Sequence, residues 1–203
     1  MEIYFDKLSS FYDEALRKSN LCVTVSDNNE FYYYEFNVIN RIAKVRTNDN
    51  KYIEEASSFF HDNNKYITKI YTLDNSFYQE FDEVMVYKLP IKVILPTEFL
   101  ISKERYEAID NTLHDLDSIY LPVAIIDDEY VLLDGHIRLY IMQENLNKLV
   151  YVYLDEPEHY IKDLIYIGKE QNVKTIKDVE LVSEKQYKSI WEPFIDQLKN
   201  NSF

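Results

Sequence analysis

The sequence of 203 residues is poor in glycine, cysteine and arginine. It has two glycines, one of them Gly135, so few places could form a glycine-dependent phosphate cradle. The single cysteine, Cys22, excludes an internal disulfide and a cysteine-rich zinc site, and we expect it to be a small buried hydrophobe. No apolar run approaches the roughly 18 residues of a membrane span, and the first six residues lack the basic start of a signal peptide. We therefore expect a cytoplasmic protein with no membrane partner.

Positive charge is also scarce. Lys and Arg total 22 against 36 Asp and Glu, which gives a formal net charge of -14. An acidic surface repels phosphate backbones, so nucleic acid is not an expected partner. Hydrophobic residues make up 46% of the chain, enough to bury one large core or two modest ones.

Residues 1–90 are predicted to form an α+β module. The pattern predicts helices over residues 4–19, 52–60 and 77–81, strands over 21–26, 31–36, 66–72 and 84–89, and a hairpin turn at 27–30. The order of these elements faintly resembles part of an acetyltransferase of the GNAT type. Such enzymes hold the coenzyme A pyrophosphate on a glycine-containing turn, and residues 1–90 contain no glycine. Acetyl transfer is therefore not expected.

The rest of the chain is predicted to form a second α+β domain over residues 91–156 and a helical extension over 157–203. The predicted elements are strands at 91–96, 121–126, 130–133 and 149–154, helices beginning near residues 102 and 136, and tail helices over 160–170 and 183–198. Ser102 is the expected N-cap of its helix. Asn145 is expected to take the left-handed position that ends the helix after Gly135.

The segment Asp134-Gly135-His136-Ile137-Arg138 lies between a predicted strand and a predicted helix. An Asp-Gly turn lets the backbone approach a ligand, and the following helix start offers unpaired N–H groups and a positive dipole end. His136 and Arg138 would add side-chain donors. The segment therefore predicts a phosphate site.

With the preceding Leu95-Pro96-Thr97-Glu98 and the strand before the turn, this segment resembles the ParB/sulfiredoxin superfamily over Ile91 to Glu156. The five residues match the Asp-Gly-His-His-Arg of free-serine kinases at four places, and Ile137 is the departure. Sulfiredoxins need a cysteine where His136 stands, and partitioning proteins carry Gly-Glu-Arg-Arg at Gly135 to Arg138, so neither pattern is complete.

The resemblance implies a nucleotide-dependent phosphotransferase that acts on a small hydroxyl compound, for example a free amino acid such as serine. It implies that Asp134, Gly135, His136 and Arg138 bind ATP or another nucleotide with Mg²⁺, and that Glu98 is the catalytic base. One alternative is a non-catalytic module for nucleotide sensing or protein interaction. Another is a DNA-associated protein of the partitioning type, which the net charge disfavours.

Each of these residues also has a purely structural interpretation. Asp134 and Gly135 could form a turn with no ligand, Arg138 could join a surface salt bridge, and Glu98 could be a solvated carboxylate. Trp191 is assigned to packing of its own helix. The residues themselves predict no metal site, since the local His114 grouping is typical of a polar helix end.

Overall fold

The structure, a computed structural model, describes residues 1–6, 21–111, 113, 116 and 119–200. The chain divides into two compact units, Met1–Val84 and Met85–Phe203. Both contain a β-sheet and helix, so the predicted α+β class is confirmed. Within the described ranges, no helix has the length and apolar character needed to cross a membrane.

The first unit is a six-stranded sheet in the order β1-β2-β3-β4-β5-β6. Its elements are β1 (Glu2–Phe5), β2 (Cys22–Asp27), β3 (Glu30–Ile39), β4 (Ile42–Thr47), α1 (Ile53–Asp62), β5 (Lys69–Thr72) and β6 (Phe77–Glu80). Neighbouring strands are antiparallel except β4 and β5, which are parallel and joined through α1. Phe36 of β3 stacks on Phe60 of α1 with ring centroids 4.0 Å apart. Cys22 is buried, as predicted.

Two helix predictions in this unit are wrong where the structure describes them. Tyr4 and Phe5 belong to β1, in which exposure alternates with the period of a strand, and residues 7–20 of that predicted helix lie outside the described residues. Residues 77–80 form β6, which pairs with β5 across a tight turn. In that turn Asn75 takes a left-handed φ of 65°, a conformation more usual for glycine. Because this turn contains no glycine, the sequence pattern did not indicate it.

The second unit contains a five-stranded sheet in the order β7-β12-β10-β11-β8 and a two-stranded sheet of β9 and β13. Its elements are β7 (Val86–Pro90), β8 (Ile94–Leu95), β9 (Leu100–Ser102), α2 (Lys103–Asp110), β10 (Tyr120–Ile126), β11 (Glu129–Leu132), α3 (His136–Glu144), β12 (Leu149–Leu154), α4 (Ile161–Glu170), β13 (Glu180–Val182), α5 (Glu184–Gln186), a π-helical turn (Tyr187–Trp191) and α6 (Glu192–Asn200). Ser102 caps α2 as predicted, because its Oγ accepts a hydrogen bond from the Arg105 backbone N–H at 3.2 Å.

Asparagine and aspartate replace glycine at most of the left-handed positions. Among the described residues, the non-glycine positive φ angles belong to Asn28, Asn29, Asn40, Asn75, Asp127, Asp128, Leu146 and Asn172. The end of α3 is the exception: Asn145 has a φ of -79°, so its predicted left-handed role is wrong. The next residue, Leu146, takes that role at φ 60°, with Asn147 N–H bonded to the Met142 carbonyl at 3.0 Å. This is a Schellman ending, which places the left-handed residue after the C-cap.

We expect Leu146→Asn to raise the free energy of unfolding by about 1 kcal/mol, because asparagine tolerates the left-handed region better than leucine does. Leu146 is 82% exposed, so the change removes little packing. Urea denaturation measures the gain. Tyr166→Asn, at an exposed position within α4, is the control and should give no gain. An equal gain in both variants would show that the loss of an exposed apolar side chain, and not the φ angle of residue 146, stabilises the fold.

Candidate functional site

Gly135 forms the turn between β11 and α3, as predicted. Its φ of 85° and ψ of 27° are left-handed, and it is the N-cap of α3. A Cβ at this position would lie 2.6 Å from Cδ2 of Leu121 and 3.0 Å from Nη2 of Arg138. Both the backbone conformation and the space therefore require glycine.

The start of α3 leaves backbone donors unused. The Leu139 N–H bonds to the Gly135 carbonyl at 2.9 Å, but within the described part of the chain no group accepts from the N–H of His136, Ile137 or Arg138. These donors lie at the positive end of the helix dipole. An anion is the chemical partner that this helix start favours.

His136 is buried, with 3% of its surface exposed. Its Nε2 accepts a hydrogen bond from the Thr97 backbone N–H at 2.9 Å, while the Thr97 hydroxyl donates to the Leu132 carbonyl at 2.9 Å. Because Nε2 is an acceptor, we assign the proton of the neutral ring to Nδ1. Nδ1 lies 3.8 Å from Oε2 of Glu98. The ring thus directs one N–H toward the carboxyl group of Glu98.

Glu98 lies in the loop between β8 and β9, and 31% of its side chain is exposed, on the wall of a cavity. Burial raises the pKa of Glu98 to about 8; the Asp134 carboxylate adds to this shift and Arg105 opposes it. Burial lowers the pKa of His136 well below its ordinary value, against the attraction of Asp134. At neutral pH the pair is therefore a neutral imidazole beside a carboxyl group that ionises near the working pH.

The cavity has a volume of about 370 Å³. Thr97, Glu98, Asp134 and His136 line it. The lining residues from the chain after β12, here called the far wall, are Tyr160, Ile161, Leu164, Tyr187, Trp191, Glu192, Ile195, Asp196 and Lys199. Gly135 and Arg138 do not line it. The structure thus places two predicted nucleotide-binding residues with Glu98 in the cavity and the other two next to it.

Arg138 pairs with Asp134 one helical turn earlier, with Nη2 and Oδ2 3.0 Å apart. Asp134 is 69% exposed and Arg138 is 32% exposed at the side chain, so this is a surface ion pair of small energetic weight. A phosphate that approached the start of α3 would compete with Asp134 for the guanidinium. The weakness of the pair makes that exchange possible.

The far wall of the cavity is fixed to α2. Arg105 bonds to Glu184 at 2.9 Å and to Glu192 at 2.6 Å, and its guanidinium lies 4.4 Å from the ring centroid of Tyr187. The wall includes the π-helical turn, in which the Glu192 N–H bonds to the Tyr187 carbonyl five residues earlier. Such turns occur often at functional sites.

The second glycine, Gly168, also supports the site. A Cβ at this position would lie 2.9 Å from the Phe99 ring. Because glycine has no Cβ, the Phe99 ring can pack directly on α4. Phe99 also meets Trp191 at a centroid distance of 5.2 Å. These contacts hold the loop that carries Glu98.

The far wall of the cavity was not predicted from the sequence. Trp191 is 4% exposed, so its assignment to packing is confirmed, but the same side chain lines the cavity. The available signal was the spacing of Tyr187, Trp191 and Ile195, which repeats every four residues and predicts one helix face. That spacing could not show that the face meets Glu98, because the two segments lie about ninety residues apart in the sequence.

We expect Glu98→Gln to be more stable than the wild type at pH 8.5 and similar to it at pH 5. The pKa of Glu98 in the fold lies above its ordinary value of 4.5, so its stabilising contribution is complete below about pH 4.5 and is lost as the pH rises through about 8. Discounted for the partial exposure, the difference at pH 8.5 is on the order of 1 kcal/mol. Thermal melts from pH 5 to 9 measure it, and the His136 contribution cancels because both proteins retain that residue. Glu107→Gln, at an exposed position of α2, is the control; a constant offset at all pH values would contradict the assignment.

Solved structures that are similar to this chain include the following two. Protein Atu1540 of Agrobacterium tumefaciens matches with a TM-score of 0.37 and 14% sequence identity, over 50% of this chain and 64% of its own. The C-terminally truncated chromosome-partitioning protein ParB of Caulobacter crescentus, in complex with CTP-γ-S, matches with a TM-score of 0.32 and 18% identity, over 55% of this chain and 65% of its own. The match thus spans less than two thirds of each of these chains.

No family model and no curated protein matches this sequence. Similarity at these TM-scores assigns no activity to this chain.

Proposed function

We propose that this protein is a nucleotide-dependent phosphotransferase that phosphorylates the hydroxyl group of a small molecule. The observation that carries the proposal is the position of Glu98, on a cavity wall next to the start of α3, with a pKa raised to about 8. A base whose pKa lies near the working pH is effective at removing a proton in the transition state.

The start of α3 would bind the nucleotide phosphates. The unused N–H groups of His136, Ile137 and Arg138 supply donors, and the guanidinium of Arg138 would exchange Asp134 for phosphate oxygens. Within the described residues, no group of three His, Cys, Asp or Glu side chains could hold a metal ion by itself. Mg²⁺ that is bound to nucleotide phosphates commonly needs only one or two protein carboxylates. The residues therefore fit Mg²⁺ that binds together with the nucleotide. Asp134 is the carboxylate next to those phosphates, and the metal would neutralise their charge.

The reaction needs one proton acceptor. The acceptor molecule lies in the cavity, and Glu98 takes the proton of its hydroxyl group as the oxygen forms a bond to the γ-phosphorus. The bond between that phosphorus and the leaving nucleoside diphosphate breaks, which gives a phosphate monoester and the diphosphate. His136 is a positioning residue, because its Nδ1–H faces the Glu98 carboxylate and its ring is fixed by Thr97.

Calorimetric titration with ATP, CTP and GTP, with and without Mg²⁺, tests the phosphate site. We expect Arg138→Ala to weaken nucleotide binding by about 10- to 100-fold, the scale of a lost hydrogen bond to a charged group, with little change in the melting temperature. Arg138→Lys keeps the positive charge but loses the planar guanidinium, so its nucleotide affinity should lie between those of the wild type and Arg138→Ala. Unchanged affinity in both variants would move the phosphate site elsewhere.

A turnover assay with hydroxyl compounds and a titration with duplex DNA separate the other candidate functions. Nucleotide binding without turnover of any hydroxyl compound would support a nucleotide sensor. Micromolar binding of mixed-sequence DNA duplex that persists at physiological salt would support a DNA-associated protein, which a net charge of -14 disfavours.

A further inference from the structure

The cavity beside Glu98 combines aromatic rings with an excess of carboxylates. Among the residues that the structure describes, three aromatic side chains line it, from Tyr160, Tyr187 and Trp191. The same described lining has four carboxyl groups, from Glu98, Asp134, Glu192 and Asp196, and one ammonium group, that of Lys199. Aromatic faces and carboxylates share one preferred ligand, an organic cation.

We propose that the acceptor molecule is a small amino alcohol, whose ammonium group binds among the aromatic rings and carboxylates of the far wall and whose hydroxyl group faces Glu98. This inference rests on the proposed phosphotransferase function and names its substrate class. It also narrows that class, because it favours a cationic alcohol over a free amino acid.

The carboxylates of the cavity differ in how far the protein neutralises them. Asp134 pairs with Arg138 at 3.0 Å, and Glu192 pairs with Arg105 at 2.6 Å. For Asp196, by contrast, no ion-pair partner lies within 4.0 Å among the residues that the structure describes. Asp196 is therefore the carboxylate that a bound cation would neutralise.

The aromatic rings of this wall already contact cationic groups of the protein. The Arg105 guanidinium lies 4.4 Å from the centroid of the Tyr187 ring, and the Lys199 ammonium lies 5.5 Å from that of Tyr160. Both distances are within the range of a cation–π interaction. Trp191, whose indole gives the strongest interaction of this kind, lines the cavity without such a partner among the described contacts.

An anionic group on the ligand would be disfavoured in the same place. A free amino acid would bring its carboxylate near the carboxylates of Asp134, Glu192 and Asp196, and Lys199 is the one positively charged side chain among the described lining residues. A volume of about 370 Å³ is at the small end of ligand sites. These limits fit a compact molecule with one positive charge and one hydroxyl group.

Tryptophan fluorescence tests the proposal directly, because Trp191 is the single tryptophan of the chain. The chain of 203 residues is titrated with choline, with its uncharged carbon isostere 3,3-dimethylbutan-1-ol, and with serine, all without nucleotide. We expect saturable binding of choline at least about tenfold tighter than that of the isostere, the scale of a desolvated cation–π contact. Equal affinity for the isostere, or tighter binding of serine than of choline, would overturn the proposal.

A pair of isosteric variants locates the binding site. Asp196→Asn should weaken choline binding by about two- to fivefold, the range of an exposed charge contact, without a change in folding. Asp128→Asn removes the same charge at an exposed turn outside the cavity and should have no effect. Equal effects in the two variants would also count against the site.

Choline binding and phosphorylation, measured separately, distinguish a failure of the cation site from a failure of the proposed phosphotransferase function. Choline binding without phosphorylation in the presence of any nucleoside triphosphate would support the cation site and contradict the phosphotransferase. Phosphorylation of a neutral diol or a hydroxy acid, with no choline binding, would support the phosphotransferase and contradict the cation site.

Discussion

Glu98→Gln is expected to lower kcat by about 10²- to 10⁴-fold, because glutamine cannot accept the hydroxyl proton in the transition state. Nucleotide affinity should stay within about threefold of the wild type, since a base contributes to the chemical step more than to ground-state binding. In the wild type, kcat should rise with pH through about 8, because only the ionised carboxylate accepts a proton.

Steady-state kinetics from pH 6 to 9.5, together with nucleotide titrations, check this result. Glu98→Asp is the matched variant: it keeps the carboxylate but withdraws it by one methylene, so its kcat should lie between those of wild type and Glu98→Gln. Full turnover in Glu98→Gln, or an unchanged ascending limb in its pH profile, would dismiss Glu98 as the base.

Gly135→Ala is expected to lower the free energy of unfolding by about 1–3 kcal/mol and to weaken nucleotide binding as well. Alanine at a φ of 85° is strained, and its Cβ would meet the fully buried Leu121 side chain at 2.6 Å. Relief of that contact would shift the turn that sets the direction of the first N–H groups of α3.

Gly168→Ala is the comparison for this variant. Its Cβ would meet the Phe99 ring at 2.9 Å, but Gly168 lies within α4, where alanine favours the helix by about 1 kcal/mol. We expect a smaller loss of stability and an effect on turnover through the Glu98 loop, with nucleotide affinity retained. Denaturation measures the stability of the two variants and calorimetry measures their nucleotide affinity. Equal nucleotide affinity in both would show that the Gly135 turn does not contribute to phosphate binding.

Local signals predicted the part of the site that is contiguous in sequence. The apolar run before Asp134 and the helical pattern after Gly135 gave the strand, the turn and the helix that the structure contains. Ser102 was recognisable as an N-cap because capping depends on residues three positions apart. The preference of asparagine for left-handed φ angles predicted Asn145 at the end of α3, but the neighbouring Leu146 adopts the left-handed conformation instead.

Local sequence signals could not predict the far wall of the cavity. Nothing in the sequence near Glu98 indicates that Tyr187, Trp191 and Asp196 face it, since tertiary packing alone brings them together. The pKa of Glu98 follows from that packing, because burial and the nearby Asp134 raise it. The family resemblance therefore implied Glu98 as a candidate base, but the sequence did not indicate the environment that would make it one.

The π-helical turn at Tyr187–Trp191 suggests how ligand preference could change during evolution. Such a turn holds one residue more than an α-helical turn, so the loss of a single codon would restore α-helical bonding and rotate the helix beyond it by about 100°. Ile195, Asp196 and Lys199 would then leave the cavity together, while Glu98 and the Gly135 turn stayed in place. Under the proposed function, we expect such a deletion to change which acceptor molecule binds and to leave the phosphate site intact.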